Sequence, residues 1–138
     1  MNSTVTADLA LQLVVPQHEL SVPLTASLSY TAADPYAVRV SFRADLDEPI
    51  EWVFGRELLS AGLYGPQGLG DVQVWPSDAD ADGHGVLNVQ LSSLYGRAHF
   101  QAAAADLAEF LLRTEQVVPA GSESAHIDLD AELADLLR

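Results

Sequence analysis

The chain has 138 residues, and its 20 acidic side chains against six basic ones give a formal net charge of −14 at pH 7. This length indicates one domain, and the 49% hydrophobic content provides a core that requires neither a metal nor a disulfide. All six basic residues are arginines, so no lysine-rich patch exists to neutralise phosphates, which argues against nucleic acid and anionic membranes as partners.

The sequence contains no cysteine and no recognisable targeting segment. The absence of cysteine excludes disulfides and thiolate metal sites. The N-terminus lacks the positive and apolar regions of a signal peptide, and no apolar run reaches the length of a transmembrane helix. We therefore expect a cytoplasmic protein that does not insert directly into a membrane.

The first third of the chain alternates between apolar and polar residues, which predicts half-buried strands at 5–15, 22–30 and 36–44. In the first strand Val5, Leu9 and Leu11 share one face. Pro23 cannot donate a hydrogen bond to a neighbouring strand, so the second strand should begin near it or have a free edge.

The period of the pattern changes in the middle of the chain. Residues 50–53 are typical of a short strand, whereas residues 54–63 follow helical spacing and predict a short central helix. A strand at 72–76 follows, and strands near 85–92 and 95–102 are joined by a tight turn, which favours a hairpin.

The last third is predicted to be helical. Leu107, Phe110 and Leu111 lie at helical spacing, and Pro119 and Gly121 should end this helix. A final short helix would carry Leu129, Leu133, Leu136 and Leu137. Taken together, the elements predict an α+β domain of mainly antiparallel strands, about seven in number, with a central short helix and two C-terminal helices.

Two loops resemble ligand-binding motifs without completing them. Residues 78–83 match the first half of an EF-hand calcium loop, but Val89 occupies the position of the bidentate glutamate and the flanking segments are strands. Residues 65–70 are rich in glycine, yet they follow a helix and precede a strand, the reverse of a phosphate-binding loop. We expect a solvated loop and a turn, respectively.

Catalytic and cofactor chemistry find no support in the sequence. His18, His84, His99 and His126 are far apart and include no zinc-binding pair. No GxSxG nucleophile motif occurs either. We therefore expect no catalytic residues, no cofactor and no metal, and a protein that is not an enzyme.

A family resemblance rests on residues 51–76, which read EWVFGRELL, then GL, then a glycine-rich turn and GDVQVWP. This block is similar to the SsgA-like family of actinobacterial sporulation and cell division proteins. Residues 33–38, 91–96, 110–121 and 128–130 agree with the same family, so the resemblance spans nearly the whole chain. Residues 1–5 and 13–15 are most similar to one branch of it.

The resemblance implies a Whirly-like arrangement of two antiparallel β-sheets and assembly into a trimer. It also implies a non-catalytic role at division septa, in which the protein helps to localise the tubulin-like division protein FtsZ together with another SsgA-like protein. No catalytic residues are carried over from the family.

The exposed side of the central helix and the loop after it are our candidate partner-binding face, because they combine charges of both signs with an aromatic residue. Its members are Glu51, Arg56, Glu57, Ser60, Tyr64 and Gln67. The alternative is that Arg56 and Glu57 form only the solvated side of an amphipathic helix.

The alternative function is binding of single-stranded nucleic acid, since Whirly-like folds elsewhere do this and Trp52 and Trp75 could stack on bases. The net charge of −14 and the absence of lysine disfavour it. We instead expect both tryptophans to pack in the core, where they could clamp the central helix to the sheet.

Overall fold

A computed structural model describes residues 3–15, 20–43, 50–77, 85–94 and 96–126. These residues form eight strands, two α-helices and one 3₁₀ helix, which confirms the mainly antiparallel α+β class. The elements are β1 (Thr4–Val15), β2 (Leu20–Thr31), β3 (Asp34–Arg43), β4 (Ile50–Gly55), α1 (Arg56–Gly62), β5 (Gln67–Leu69), β6 (Val72–Ser77), β7 (Val86–Ser93), β8 (Gly96–Ala103), α2 (Ala104–Val117) and the 3₁₀ helix Glu123–His126.

All eight strands belong to one sheet with the order β4-β3-β2-β1-β8-β7-β6-β5. Every neighbouring pair is antiparallel. The expected two sheets are therefore a single sheet in the described part of the chain. The reason is that β1 pairs along its length with β2 and also pairs through Leu11–Val14 with β8, which joins two four-stranded meanders.

The sheet is strongly curled. Phe42 on β3 and Phe100 on β8 are separated by β2 and β1, which in a flat sheet would place them roughly 14 Å apart. Their ring centroids are instead 4.7 Å apart in a stacked arrangement. The concave face thus closes around the core.

Both helices lie at one end of the concave face. Helix α1 contacts β3 and β4 on one side and β5 and β6 on the other, so it bridges the two meanders. Helix α2 follows β8 and packs mainly on β1, burying Leu107, Phe110 and Leu111. Neither helix in the described ranges is long and apolar enough to cross a membrane.

The observed boundaries differ from the predicted ones in the middle of the chain. The predicted helix at 54–63 is α1 at Arg56–Gly62, because Phe54 pairs with Val38 and remains in β4. The short strand β5 was not predicted, since three residues that include a glycine carry no period. The acidic loop at 78–83, His18, His84 and the predicted final helix lie outside the described residues.

Candidate docking cleft beside the central helix

Helix α1 begins directly after an extended Gly55, without a side-chain cap on its first turn. Glu57 lies in that first turn, where the positive end of the helix dipole favours a carboxylate. Arg56, Leu59 and Gly62 form the buried stripe at spacings of three residues. Glu57 is consequently turned to solvent.

Gly62 allows α1 to approach the sheet closely. A Cβ atom at this position would collide with the Cγ1 atom of Val74, which is fully buried on β6. The helix therefore rests with its backbone against β6, which fixes the position of the side chains on its exposed face.

Arg56 is the main correction to the expected docking face. The sequence pattern placed it on the solvated side of the helix, but only 3% of the residue is exposed. Its Nη1 donates to the backbone carbonyl oxygens of Thr114 and Val118 at 3.3 and 2.7 Å, and its Nη2 donates to Oε1 of Glu123 at 2.6 Å. Arg56 thus ties α1 to the C-terminal end of α2, through the Thr114 carbonyl, which also accepts the Val118 N–H, and through the carbonyl of the capping residue Val118.

The aromatic ring of Tyr30 completes this buried arrangement. The Arg56 guanidinium carbon lies 5.0 Å from the ring centroid, within the range of a cation–π interaction. The Tyr30 hydroxyl donates to the carbonyl oxygen of Pro35 at 3.0 Å. Burial raises the pKa of Tyr30 above its ordinary value, and the nearby Arg56 charge opposes this shift.

Glu123 accepts the strongest of the Arg56 contacts. The hydrogen bond from Arg56 lowers the pKa of the Glu123 carboxyl, and backbone amide donors, including that of Gly121, act in the same direction. At neutral pH the pair is therefore a charged one, with most of the Arg56 side chain shielded from water.

A cleft of about 410 Å³ lies on the solvent side of this arrangement. Its walls come from β3, the end of β4, α1, β5 and the 3₁₀ helix. The lining residues are Tyr36, Gly55, Arg56, Glu57, Leu58, Ala61, Gln67, Gly68 and Glu123.

Three of the six predicted docking residues line this cleft, namely Arg56, Glu57 and Gln67. Arg56 forms part of its buried base, whereas Glu57 and Gln67 are exposed. Among the described residues no ion pair involves Glu57, so its carboxylate is available to a ligand or partner.

The other three predicted residues lie elsewhere. Glu51 points to the outer face of the sheet and pairs with Arg39 at 3.2 Å. Ser60 is half-buried in α1, and its carbonyl accepts a hydrogen bond from the turn that follows. Tyr64 is 90% exposed just beyond α1 but does not line the cleft.

Two of the cleft residues that were not predicted carry an aromatic or a charged side chain, namely Tyr36 and Glu123. Tyr36 alternates with the buried residues of β3, so the pattern placed it inside, yet it lies at the end of the strand and is 51% exposed. Glu123 is distant in sequence from α1, and no local pattern could indicate its contact with Arg56. The resulting cleft offers an aromatic ring, a free carboxylate, an amide and an apolar floor, which suits a protein side chain carrying a positive charge.

The two tryptophans do not clamp α1 together. Side chains alternate along β6, so Trp75 faces away from the helix that rests on Val74. Its ring contacts that of His99 in a tilted arrangement, with centroids 5.2 Å apart. Trp52 is half-buried against the core, beside Phe54. Burial lowers the pKa of His99, whose Nε2 is 2.8 Å from Oδ1 of the buried Asn88.

Comparison with known proteins identifies the family of the chain. A family profile described as Streptomyces sporulation and cell division protein, SsgA, matches residues 24–123. The chain belongs to this SsgA-like family, as its sequence motifs predict.

Similarity to individual members extends over almost the full length. The sporulation-specific cell division protein SsgB of Streptomyces coelicolor is 49% identical over 137 residues, covering 99% of this chain and 98% of that protein. SsgB of Thermobifida fusca is 48% identical over 135 residues, covering 98% and 96%. The expected similarity to one branch of the family is thus confirmed, and that branch is the one named SsgB.

The solved structures agree with the fold. The crystal structure of an SsgA-like sporulation-specific cell division protein from Thermobifida fusca has a TM-score of 0.87 at 48% identity and covers 97% of this chain and 96% of that one. A second structure, connected with mutations in SsgB that correlate to longitudinal cell division during sporulation of Streptomyces coelicolor, has a TM-score of 0.84. It covers 91% of this chain and 97% of that one at 48% identity.

Proposed function

We propose that this protein is a non-catalytic factor in sporulation-specific cell division that helps to localise FtsZ to septum sites through protein–protein contacts. The observation that carries the proposal is near full-length similarity to proteins named for sporulation-specific cell division, at 48–49% identity. The remaining parts of the proposal are cytoplasmic location at septa, cooperation with another SsgA-like protein and assembly into a Whirly-like trimer.

The cleft beside α1 is the docking site in this proposal. Its base is held rigid by Arg56, and its exposed wall offers Tyr36, Glu57 and Gln67. A partner that inserts a basic side chain here would meet the free Glu57 carboxylate beside an aromatic ring, and aromatic anchors commonly dominate the binding energy of interfaces. The strongly negative charge of the protein favours such a partner surface over an acidic one.

The test uses Glu57→Arg and Tyr36→Ala variants, fused to a fluorescent protein, in a sporulating actinobacterium. We expect both to lose septal localisation and to co-sediment less with FtsZ polymers, while their thermal stability stays close to that of the parent. Glu109→Arg on exposed α2 is the matched charge-reversal control.

Retention of normal localisation and FtsZ binding by both variants would exclude the cleft as the docking site. Failure of the parent protein to bind FtsZ, with or without another SsgA-like protein, would reject the recruiting role itself. Tight, salt-sensitive binding of single-stranded DNA by the parent would instead support the alternative function.

A further inference from the structure

A second surface of different chemistry lies at the other end of the curled sheet. Strands β3 and β4 define the two ends. At the first end Gly55, the residue before α1, pairs with Ala37, and at the second end Ile50 pairs with Phe42. These two ends are about 17 Å apart along the strands. Among the described residues the helices cover only the first end, and no described helix covers the concave face at the second.

The open end is an apolar groove of about 360 Å³. Leu13, Leu24, Ile50, Trp52, Leu91 and Phe100 contribute most of its wall. Ile50 is 52% exposed, and Val22, the partner of Leu13 on β2, is 42% exposed. Apolar side chains that remain in water on a concave surface indicate an interaction site.

One wall of the groove is a free strand edge. Among the described strands β4 is at the end of the sheet and pairs only with β3, so one side of its backbone has no strand partner. Four of its six residues are the apolar isoleucine, tryptophan, valine and phenylalanine, and its one charged side chain, Glu51, is paired with Arg39 of β3. Such an edge can accept a further strand from another chain.

Arg97 provides the only cation of the described groove wall. It is exposed on β8, and no described residue forms an ion pair or hydrogen bond with its guanidinium group, whereas the guanidinium groups of Arg39, Arg56 and Arg113 are all bonded. In a protein of net charge −14, an arginine at the rim of an apolar groove that no described carboxylate contacts favours a carboxylate of a partner at this point.

We propose that this groove binds an extended segment of a partner protein, which pairs with the free edge of β4, places alternate apolar side chains in the groove and directs an acidic side chain to Arg97. The site is separate from the α1 cleft and does not depend on the function proposed for that cleft. An extended segment satisfies all three features at once, because its side chains alternate in direction while its backbone groups pair with the edge.

The experiment uses two short fluorescein-labelled peptides in which valine alternates with threonine, one with a central glutamate and one with a central lysine. Fluorescence anisotropy with the full chain should show tighter binding of the glutamate peptide. Arg97→Glu should weaken that binding by about tenfold and should favour the lysine peptide. Arg113→Glu, a reversal at an exposed arginine of α2, should leave both affinities unchanged.

Ile50→Asp tests the apolar part of the groove, and circular dichroism establishes that each variant is folded. We expect loss of binding for both peptides. Equal binding of the two peptides by the parent, or an unchanged preference in Arg97→Glu, would overturn the proposal.

Two further results would assign the groove to another occupant and would likewise overturn the proposal. If Ile50→Asp converts an oligomer to a monomer in light scattering, a second copy of this chain covers the groove. If the parent binds phosphatidylcholine vesicles and Ile50→Asp does not, the occupant is lipid.

Discussion

Arg56 is the residue on which the arrangement of α1, α2 and the 3₁₀ helix depends most. Its side chain holds two backbone carbonyls and one carboxylate while almost completely buried. Removal of one partner of a buried charged pair leaves the other charged group buried without a partner, which commonly costs about 3–5 kcal/mol of stability. We expect Arg56→Ala to lower the free energy of unfolding in urea by about 3 kcal/mol.

The matched control for this prediction is Arg113→Ala, since Arg113 is exposed and makes a single hydrogen bond to the carbonyl of Thr6. It should change the free energy of unfolding by less than about 0.5 kcal/mol. Arg56→Lys should be intermediate, because an ammonium group keeps the charge without the planar fork of donors. An Arg56→Ala variant as stable as Arg113→Ala would contradict this assignment.

Glu123 makes the stability of the protein sensitive to acid. The hydrogen bond from Arg56 lowers its pKa in the folded state below the ordinary value of 4.5, so the unfolded state takes up the proton first as the pH falls. The contribution of the ionised Glu123 to the free energy of unfolding is complete above pH 4.5 and is lost as the pH falls through the lower folded-state pKa.

The measurement is the melting temperature of the parent and of Glu123→Gln between neutral and acidic pH. The difference between the two proteins should be largest at neutral pH and should shrink on acidification. A difference in melting temperature that stays constant across this pH range would show that ionisation of Glu123 does not contribute to stability.

For single residues, the sequence correctly predicted that Glu57 and Gln67 are exposed, because the local spacing in or near a short helix indicates which side chains face solvent. Arg56 was predicted wrongly for a physical reason. An arginine is usually solvated, and the acceptors that make its burial favourable, Thr114, Val118 and Glu123, lie far along the chain.

At the scale of elements, the seating of α1 on β6 depends on Gly62. An added Cβ would collide with Val74, so we expect Gly62→Ala to lower the free energy of unfolding by about 1–3 kcal/mol despite the better helix propensity of alanine. Gly65→Ala is the control, since nothing lies within 4 Å of its added Cβ. Urea titration of the two variants provides the comparison, and equal stability would show that the helix shifts without cost.

The strands could be predicted well because most have one buried face, so that alternation marks them. The first residue of α1 could not be predicted, because Phe54 fits both the helical spacing and the strand that precedes the helix. The predicted hairpin of β7 and β8 is confirmed, because a tight turn marks it in the sequence. The contact of β1 with β8, which makes one sheet from two meanders, joins Leu11–Val14 to His99–Ala102, and no local pattern indicates a contact over about 90 positions.

At the scale of the whole molecule, self-association remains a prediction. The resemblance to the SsgA-like family implies a trimer. We expect light scattering at micromolar concentration to give three times the chain mass of 14.8 kDa. A strictly monomeric mass would contradict it.

The joining of the two meanders also has a kinetic consequence. Within each meander the strands are neighbours in sequence and can pair early, whereas β1 meets β8 only after most of the chain is in place. Because Leu11–Val14 and their partners are the described part of this seam, we expect Val14→Ala to accelerate unfolding in stopped-flow measurements with little change in the folding rate. A substitution within the β1–β2 hairpin, such as Ala26→Gly, should instead slow folding, so that the last interaction to form is the first to be lost.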